Sequence, residues 1–323
     1  MKRWAVLDMG TNTFLLLIAE WQTQTNKLII LVDECTIPRL GTMLPQTGTI
    51  SQEAVERAEA IASYYNHLCQ AHRVAELWAI GTASFRNARN VEEAAAAILR
   101  HFHCPTTFST LTPEQEAQYS FWGTVFPSFS AVPTLVLDIG GGSTEFIIGK
   151  GWEISAAGSL PLGAVWLWEM ANQDGWDVET AYRFLNDFIA SHQMVYFPQP
   201  PIRAYAVAGT PVTLAGLLMG IPYKRWWLTH GTSIARTDLE QLLPRLWRMP
   251  LRERRRLSAV HPKRADILPA GALILLVLME YFDLPRVQTS VYGLRYGALL
   301  ALLRRKQLDF QGIFELHDPR FTG

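Results

Sequence analysis

The chain has 323 residues, of which 49% are hydrophobic, and its 29 lysines and arginines balance its 29 aspartates and glutamates. This length allows one large domain or two ordinary ones, and the apolar content excludes a disordered chain. A net charge of zero gives no overall attraction to nucleic acid or to an anionic membrane. We therefore expect neither as a partner, and any anion-binding surface must be local.

The cysteines and the apolar segments place the protein in a cellular compartment. Cys35, Cys69 and Cys104 lie far apart and form no CxxC pair, which argues against a zinc ribbon or a disulfide framework and favours free thiols in a reducing compartment. The apolar run near the N-terminus meets Asp8 too early for a signal peptide. Segment 267–282 is too short and too interrupted for a bilayer span and predicts a buried helix. We expect a cytoplasmic protein.

The predicted elements begin with a strand, a glycine turn and a second strand in VLDMGTNTFLLLIA, residues 6–19. Strands are then predicted at 27–34 and 75–82, and helices at 51–72 and 90–102. Ser51 and Asn90 stand at the positions of N-caps for these two helices. Thr112 and Gln115 form a capping-box pattern, which predicts the start of a further helix.

The same hairpin pattern returns in VLDIGGGSTEFIIG, residues 136–149, where Val, Leu, Asp and Gly fall at the same places as in residues 6–19. Strands are predicted at 134–138, 144–149, 152–158 and 203–207, and helices at 177–191, 210–219, 237–247, 264–282 and 293–307. The repeated hairpin indicates two related halves, and the mixture of elements gives the fold class α/β. Glycine, serine and proline cluster at 123–133, where we place the joint between domains. A proline-rich loop at 194–205 shows no obvious domain break.

Both hairpin turns have the composition of a phosphate-binding loop. Glycines let successive backbone amides point into one concavity, and hydroxyl and amide side chains add donors. The candidate phosphate-binding residues are Gly10, Thr11, Asn12 and Thr13 in the first turn, and Gly140, Gly141, Gly142, Ser143 and Thr144 in the second. Asp8, Asp138 and Glu145 are candidate ligands of a magnesium ion. Ordinary turns rich in Asp and Gly are the alternative, which the second matched turn disfavours.

DMGTNTF and LDIGGGSTEF resemble the two phosphate-binding loops of the exopolyphosphatase / guanosine pentaphosphate phosphohydrolase family, part of the actin, sugar-kinase and heat-shock-protein ATPase superfamily. Further blocks follow in the family's order: RLG at 39–41, GTASFRNARN at 81–90, LTPEQEA at 111–117, SLPLGAV at 159–165, VAGTPVTLAGL at 207–217, HPKRADILPAG at 261–271 and GLRYGAL at 293–299. The resemblance covers residues 4–300. It implies two related actin-like ATPase (ribonuclease H-like) domains with a cleft between them, at 1–125 and 126–298, with the C-terminal helix 299–317 packing back on the first.

The resemblance also implies a reaction, the magnesium-dependent hydrolysis of a terminal phosphoanhydride. Glu116 is implied as the general base, and Glu145 as a second catalytic or metal-linked carboxylate. Arg86 is implied as a clamp for a substrate phosphate, which suits the donor fork of a guanidinium. Without the resemblance, Glu114 and Glu116 fit the role of a carboxylate in the first turn of a helix equally well.

Several basic or glycine-rich segments leave alternatives open. Lys263, Arg264 and Arg295 could line a track for a long anion or be solvated surface charges. RERRR at 252–256 is better explained as a solvated helix face than as a nucleic-acid site. The block at 207–217 could present helix N-terminal amides to a nucleotide, as in the kinase relatives, or could reflect close packing of a strand on a helix.

Three features depart from the family pattern. Gln115 replaces a glutamate beside the implied base and removes a charge there. Trp166 stands where relatives commonly carry arginine, so we expect a lost cation near the surface of the second domain. RLGTML, 39–44, lacks the glutamate–glycine pair often seen after RLG. These departures bear on substrate preference and efficiency more than on the type of reaction.

Release of terminal phosphate from inorganic polyphosphate is therefore the expected function. Hydrolysis of guanosine pentaphosphate to the tetraphosphate is the alternative, because both substrates offer a terminal phosphate beside a bridging oxygen. A regulator that binds such nucleotides without turnover is a third hypothesis. The aromatic segment KRWWL, 224–228, leaves open whether a second copy of the chain is a partner in a homodimer.

Overall fold

The structure, a computed structural model, describes residues 2–22, 24–25, 27–126, 132–192 and 203–306, the backbone of 315–317, and residue 320. Two compact units divide the described chain: unit 1 runs to Gly123 and resumes at Leu294, and unit 2 is Thr124–Gly293. Parts of the predicted joint at 123–133, of the loop at 194–205 and of the helix at 299–317 lie outside the described residues.

Strands and helices follow one another along both units. In chain order the strands are β1 (Arg3–Met9), β2 (Phe14–Gln22), β3 (Lys27–Thr36), β4 (Glu76–Gly81), β5 (Thr106–Thr110), β6 (Thr134–Ile139), β7 (Thr144–Lys150), β8 (Glu153–Leu160), β9 (Arg203–Val207), β10 (Ser233–Ala235), β11 (Arg286–Thr289) and β12 (Glu315–His317). The helices are α1 (Leu44–Thr47), α2 (Gln52–Ala71), α3 (Ala83–Asn87), α4 (Val91–Leu99), α5 (Pro113–Val125), α6 (Ala164–Gln173), α7 (Val178–Ser191), α8 (Gly209–Met219), α9 (Arg236–Arg248), α10 (Leu251–Arg254), α11 (Leu268–Tyr281) and α12 (Leu294–Arg305), with 3-10 turns at Tyr223–Thr229 and Pro262–Arg264.

The two units repeat one sheet topology. The strand orders are β12-β3-β2-β1-β4-β5 in unit 1 and β10-β11-β9-β6-β7-β8 in unit 2. In each sheet three antiparallel strands are followed by a strand that runs parallel to the first. Register shifts lie between Ile18 and Ala19 in β2 and between Ile148 and Gly149 in β7. These two shifts are as far apart along the chain as Asp8 and Asp138, so they occupy equivalent positions in the repeat. The sequence echo is thus a structural repeat, and the prediction of two related α/β halves is confirmed.

Local capping signals explain where several helices begin. Ser51 accepts a hydrogen bond from an amide in the first turn of α2, as predicted. Before α5, the Gln115 amide donates to Thr112 Oγ1 at 3.2 Å, and the Thr112 amide donates to Gln115 Oε1 at 3.0 Å. Asn90 is the N-cap residue of α4, as predicted, but its side chain makes no capping hydrogen bond and instead bonds both backbone groups of Ile50 at 2.9 Å.

The sequence pattern did not predict α1, α3, β5, α6, β10, β11 or β12. The residues of β5, TTFST, show no alternation of apolar side chains, so nothing in their pattern predicts a half-buried strand. The helix predicted at 264–282 begins at Leu268 as α11, which is buried as far as Met279. Within the described ranges, no helix is both long enough and apolar enough to span a lipid bilayer.

Three side chains that the sequence analysis places at or near the surface are buried. Trp166 is buried in α6, so the departure from arginine lies at a packed position of this chain and not on its surface. The RERRR run is otherwise exposed, as expected for a solvated face, but Arg254 is buried, and its guanidinium lies 4.9 Å from the centre of the Trp168 ring. Arg295 is also buried, so it belongs neither to an exposed basic track nor to the solvated surface.

Arg295 instead belongs to a buried polar cluster that holds α12 on the sheet of unit 1. Asp33 of β3 accepts hydrogen bonds from Arg295 Nε at 2.7 Å and Nη2 at 2.8 Å, and from the Tyr296 hydroxyl at 2.9 Å. Nη1 of Arg320 lies 2.7 Å from the same carboxylate. Buried charges of this kind are stable only when paired and hydrogen-bonded. The cluster therefore fixes the C-terminal part of the chain to β3.

Gly297→Ala is expected to destabilise unit 1. An added Cβ would lie 1.8 Å from the Tyr119 carbonyl oxygen of α5, so the two helices would have to move apart. Alanine in a helix normally gains about 1 kcal/mol over glycine; here we expect a loss of about 2 kcal/mol from overpacking. Urea unfolding followed by circular dichroism measures the sign of the change in the free energy of unfolding.

Gly293→Ala is the matched control for this substitution. Its added Cβ would meet only Val207 carbon atoms at 3.8 Å, an ordinary contact distance. We expect a change within about 0.5 kcal/mol. Equal stability of the Gly297 and Gly293 variants would contradict the close approach of α12 to α5.

Candidate functional site

The two glycine turns are closed in the same way. The Gly10 amide donates to the Thr13 carbonyl at 2.9 Å, and the Gly140 amide donates to the Ser143 carbonyl at 3.0 Å. A Cβ on Gly10 or Gly140 would lie 3.0 or 2.9 Å from that oxygen, which leaves little room for any other residue. Both turns are therefore built on the same tight backbone bend, as the sequence echo predicts.

The RLG block supports the first turn. Amides of Arg39 and Gly41 donate to the carbonyls of Asn12 and Thr11 at 3.1 and 2.9 Å. An added Cβ on Gly41 would lie 2.4 Å from both Ser84 Oγ and Thr11 Cγ2, so only glycine allows this approach. Arg39 has φ of 58°, an uncommon backbone conformation for a residue with a side chain. The block fixes the turn through its backbone.

The SLPLGAV block supports the second turn in a comparable way. Amides of Ala164 and Val165, at the start of α6, donate to the carbonyls of Gly140 and Gly141 at 2.9 Å. A Cβ on Gly163 would lie 2.4 Å from the Gly141 carbonyl carbon. Each of the two blocks, which the sequence shows only as part of a family pattern, therefore supports one glycine turn through backbone hydrogen bonds.

Buried polar atoms without partners surround the first turn. Within the described residues, no hydrogen bond reaches Thr11 Oγ1, either amide atom of the Asn12 side chain, or Ser84 Oγ. These side chains are 3%, 4% and 0% exposed. An unpaired buried polar group costs about 1–3 kcal/mol, and such groups in native proteins commonly serve a ligand or an ordered water. The atoms therefore mark a polar site prepared for a hydrogen-bonding ligand.

Ser84 was not singled out from the sequence, whereas Thr11 and Asn12 were. It follows β4, which runs parallel to β1, by three residues. Hydroxyl residues just beyond the carboxyl end of a parallel strand are placed where α/β proteins bind ligands. The position of Ser84 just after β4 was therefore the signal in the sequence that could have identified it. Arg86, in the same block 81–90, was the more obvious candidate.

Two buried carboxylates lie side by side in unit 2. Asp138 of β6 and Glu145 of β7 are register partners, so their side chains leave the same face of the sheet. Ser159 Oγ donates to Glu145 Oε1 at 2.9 Å. The Thr144 hydroxyl donates to the Leu162 carbonyl at 2.8 Å, so that hydroxyl proton is already used inside the protein. Paired carboxylates of this kind offer hard oxygen ligands to a cation.

Asp8 is the counterpart of Asp138 in unit 1. It lies in β1, opposite Leu15 of β2, and it is buried. Among the described residues, no group of three or more His, Cys, Asp or Glu side chains could hold a metal by itself. Mg²⁺ usually takes one or two carboxylates and completes its shell with water and phosphate oxygens. The Asp138–Glu145 pair fits that mode of binding.

Half-buried Arg86 and buried Glu116 form an ion pair within unit 1. Nη1 of Arg86 bonds the Glu116 carboxylate and also donates to the Leu111 carbonyl at 3.0 Å. Glu116 is 7% exposed, and its backbone lies in the first turn of α5, fixed by the capping box. Both contacts use Nη1, so Nε and Nη2 of Arg86 remain as donors that no described residue occupies.

The structure separates the two glutamates that the sequence alone left equivalent. Glu114 is exposed, and hydrogen bonds from its own amide and from Thr112 lower the pKa of its carboxyl group. That is the expected behaviour of a carboxylate in the first turn of a helix. Glu116 points instead into the protein, toward Arg86. Of the two, Glu116 has the surroundings of a functional group.

The turn between β9 and α8 is strained and covered by an arginine. Ala208 has φ of 74° and ψ of −170°, a region that residues with a side chain rarely occupy. A Cβ on Gly209 would lie 1.2 Å from Arg264 Nη1, so the guanidinium rests on the first residue of α8. The block 207–217 thus combines close packing with a cation at the helix N-terminus.

Comparisons with known proteins agree with these features. The sequence profile of the Ppx/GppA phosphatase family matches residues 17–306. Exopolyphosphatase 2 of Mycobacterium tuberculosis is 29% identical over 94% of this chain and 99% of its own. Guanosine-5'-triphosphate,3'-diphosphate pyrophosphatase of Aliivibrio fischeri is 26% identical over 95% of this chain, which spans 60% of that protein.

A solved structure shows the same architecture. The Ppx/GppA family member of Aquifex aeolicus superposes with a TM-score of 0.74 at 28% identity, covering 94% of this chain and 98% of its own. The family resemblance and the fold class of two related α/β domains, both predicted from the motifs, are confirmed. The chain belongs to the Ppx/GppA phosphatase family.

Proposed function

We propose that the protein is a magnesium-dependent exopolyphosphatase, which hydrolyses the terminal phosphoanhydride of inorganic polyphosphate. The ion pair of Glu116 and Arg86 carries the proposal, because it supplies a base and a guanidinium at one place. The mycobacterial relative, an exopolyphosphatase by name, matches over almost its whole length, whereas the chain spans only part of the guanosine-nucleotide enzyme.

The roles proposed for unit 1 are proton transfer and phosphate binding. Glu116 would accept a proton from the water that attacks the terminal phosphorus, while the bridging P–O bond breaks and the shortened chain leaves. Arg86 holds that carboxylate in place, and its remaining donors would offset charge on the phosphoryl oxygens. Thr11, Asn12 and Ser84 would donate their unpaired polar groups to phosphate oxygens.

The role proposed for unit 2 is to hold phosphate and cation. The amides of residues 140–143 would bind phosphate oxygens, since backbone amides in glycine turns form anion sites. Asp138 and Glu145 would hold the magnesium ion. Asp8 stays a proposed metal ligand of unit 1. When bound, the ion supplies positive charge that neutralises the phosphate chain.

Phosphate release from three substrates tests the proposal. Purified protein with Mg²⁺ is mixed separately with polyphosphate, guanosine pentaphosphate and ATP, and free phosphate is measured over time. We expect the highest kcat/KM with polyphosphate. Release from none of the three would overturn the enzymatic proposal and leave the nucleotide-binding regulator.

The three cysteines are free thiols, in keeping with the proposed cytoplasmic location.

Guanosine pentaphosphate hydrolysis remains the second candidate. Arg264 over the first turn of α8, beside the strained Ala208, is the observation that favours a nucleotide substrate. A kcat/KM for guanosine pentaphosphate at least ten times that for polyphosphate would establish this alternative.

Leu228 of the KRWWL segment is exposed, and a homodimer remains a prediction.

Ser84→Ala is expected to raise KM for the preferred substrate about tenfold, the effect of losing about 1.4 kcal/mol of binding. Because Ser84 Oγ has no described partner, stability without substrate should not fall. Ser51→Ala is the opposite control: its oxygen caps α2, so the variant should lose about 1 kcal/mol of stability and keep its KM. Initial rates and urea midpoints measure both. A destabilised Ser84 variant with normal KM would show that the hydroxyl serves the fold.

A further inference from the structure

Three segments of unit 2 meet at Gly216: the second half of α8, the 3-10 turn that follows it, and the segment after α10. An added Cβ on Gly216 would lie 3.9 Å from Thr229 Cγ2 in the 3-10 turn and 3.3 Å from Ala259 Cβ after α10. The Tyr223 amide, at the start of the turn, donates to the Ser258 carbonyl at 2.9 Å. The side chains that these segments expose therefore lie near one another.

Large apolar side chains are exposed at this place. Leu218 and Met219, at the end of α8, are 38% and 61% exposed, and Leu228 in the 3-10 turn is 45% exposed. Of the six large apolar side chains that are exposed among the described residues, half therefore lie here. Trp226 and Trp227 of the same turn are half-buried. Single exposed apolar side chains need no explanation, whereas a cluster of them marks a binding surface.

The same surface is cationic. Lys224 and Arg225 are exposed in the 3-10 turn, and Arg256 is exposed in the segment after α10. Residues 203–237 and 254–265 contain no aspartate or glutamate, so these segments carry no carboxylate that would offset the cations. Because the net charge of the whole chain is zero, attraction to a large anionic partner has to come from a local surface of this kind.

The combination of cations with apolar side chains identifies the partner. A free polyanion would contact the cations alone. A protein partner would suit the apolar side chains, but lysine is depleted in protein interfaces. The surface of an anionic membrane offers charged head groups to Lys224 and Arg225, and the boundary of its acyl chains to Leu228. Tryptophan is enriched at that boundary, which suits Trp226 and Trp227.

We propose that unit 2 docks reversibly on an anionic lipid bilayer through the end of α8 and the 3-10 turn Tyr223–Thr229. Leu218, Met219 and Leu228 enter the boundary between head groups and acyl chains. Lys224 and Arg225 contact the phosphates of the head groups. Both contributions are required, because a few apolar side chains or a few cations alone bind a membrane only weakly.

Flotation of the full chain with lipid vesicles tests the proposal. Vesicles of phosphatidylcholine alone are compared with vesicles of equal parts phosphatidylcholine and phosphatidylglycerol. We expect at least about tenfold tighter binding to the anionic vesicles, since each lysine or arginine near such a surface contributes about fivefold. Binding should weaken as the salt concentration rises, because salt screens the attraction between the cations and the head groups.

Single variants separate the charged contribution from the apolar one. Lys224→Glu should weaken binding to anionic vesicles by about tenfold or more, because the variant loses attraction and adds repulsion. Leu228→Ser should weaken it about fivefold through the loss of apolar contact with the acyl chains. Arg100→Glu and Tyr64→Ser are the controls. They change an exposed cation and an exposed apolar side chain of unit 1, and they should leave vesicle binding unchanged.

Four results would overturn the proposal. Two of them are no binding to anionic vesicles and equal binding to both kinds of vesicle. Binding that Lys224→Glu weakens and Leu228→Ser does not would show a surface for anions such as polyphosphate, without contact to acyl chains. A dimer in ultracentrifugation that Leu228→Ser dissociates, without vesicle binding, would assign the surface to a second copy of the chain. Vesicle binding requires no phosphate release, so each of these outcomes leaves the hydrolase proposal unaffected.

Discussion

Replacing Glu116 with glutamine is expected to lower kcat for phosphate release by about 10²–10⁴-fold while KM changes little. Glutamine has nearly the same shape, and its carbonyl oxygen can still accept from Arg86 Nη1, so the fold and the phosphate contacts should persist. The amide cannot take a proton from the attacking water. Phosphate release under saturating substrate measures kcat, and equilibrium binding of substrate to the inactive variant measures the affinity that remains.

Glu114→Gln supplies the matched control two residues away. Glu114 is exposed and bonded only within the first turn of α5, so its variant should retain at least half of the original kcat. A Glu116 variant with near-normal kcat would remove this residue as the base. Equal losses in both variants would instead assign the effect to the charge of the helix start.

Asp33→Asn is expected to destabilise the protein by about 3–5 kcal/mol, the usual result of breaking a buried ion pair from one side. The substitution leaves Arg295 buried without a carboxylate and removes the charge opposite Arg320. Glu59→Gln is the control, because its partner Arg100 is 67% exposed and such pairs contribute about 1 kcal/mol or less. Urea unfolding near pH 7 gives both values.

The pH dependence of stability gives a second measure of the same cluster. Burial alone would raise the pKa of Asp33, but Arg295, Arg320 and the Tyr296 hydroxyl outweigh burial and hold that pKa below its ordinary value. A lowered folded pKa means that the stabilisation is complete above about pH 4 and is lost as the pH falls through the folded value. The gap between the original protein and the Asp33 variant should narrow on acidification. A constant gap down to pH 2 would contradict the ionised cluster.

Short-range signals in the sequence predicted much of the fold. The capping box of Thr112 and Gln115 spans three residues, and the apolar run of α11 is continuous, so both could be identified without tertiary information. Asn90 shows the limit of this approach. Its side chain fits a cap, but the backbone of Ile50 lies within reach and takes both of its polar groups. The competing partner comes from 40 residues away.

The candidate site also combines local patterns that the sequence shows with long-range contacts that it does not show. The glycine turns were visible because each is a local pattern repeated in the chain. The choice between Glu114 and Glu116 was not, since it depends on Arg86, which approaches from another helix 30 residues earlier. The unpaired state of Ser84 and the burial of Arg295 against Asp33 are likewise properties of packing. Only the folded chain shows which polar groups are already satisfied.

The return of α12 to unit 1 has a consequence for how the protein is made. The ribosome releases every residue of Thr124–Gly293 before it releases Leu294, so the continuous unit 2 can complete its core first. During that time β1 and β2 lack α12, the helix that packs on them. Asp33 also lacks its partner Arg295, which lies 262 residues downstream. The unit whose synthesis begins first is therefore the last to finish folding. Until then, the part of its sheet that α12 covers in the folded protein stays exposed.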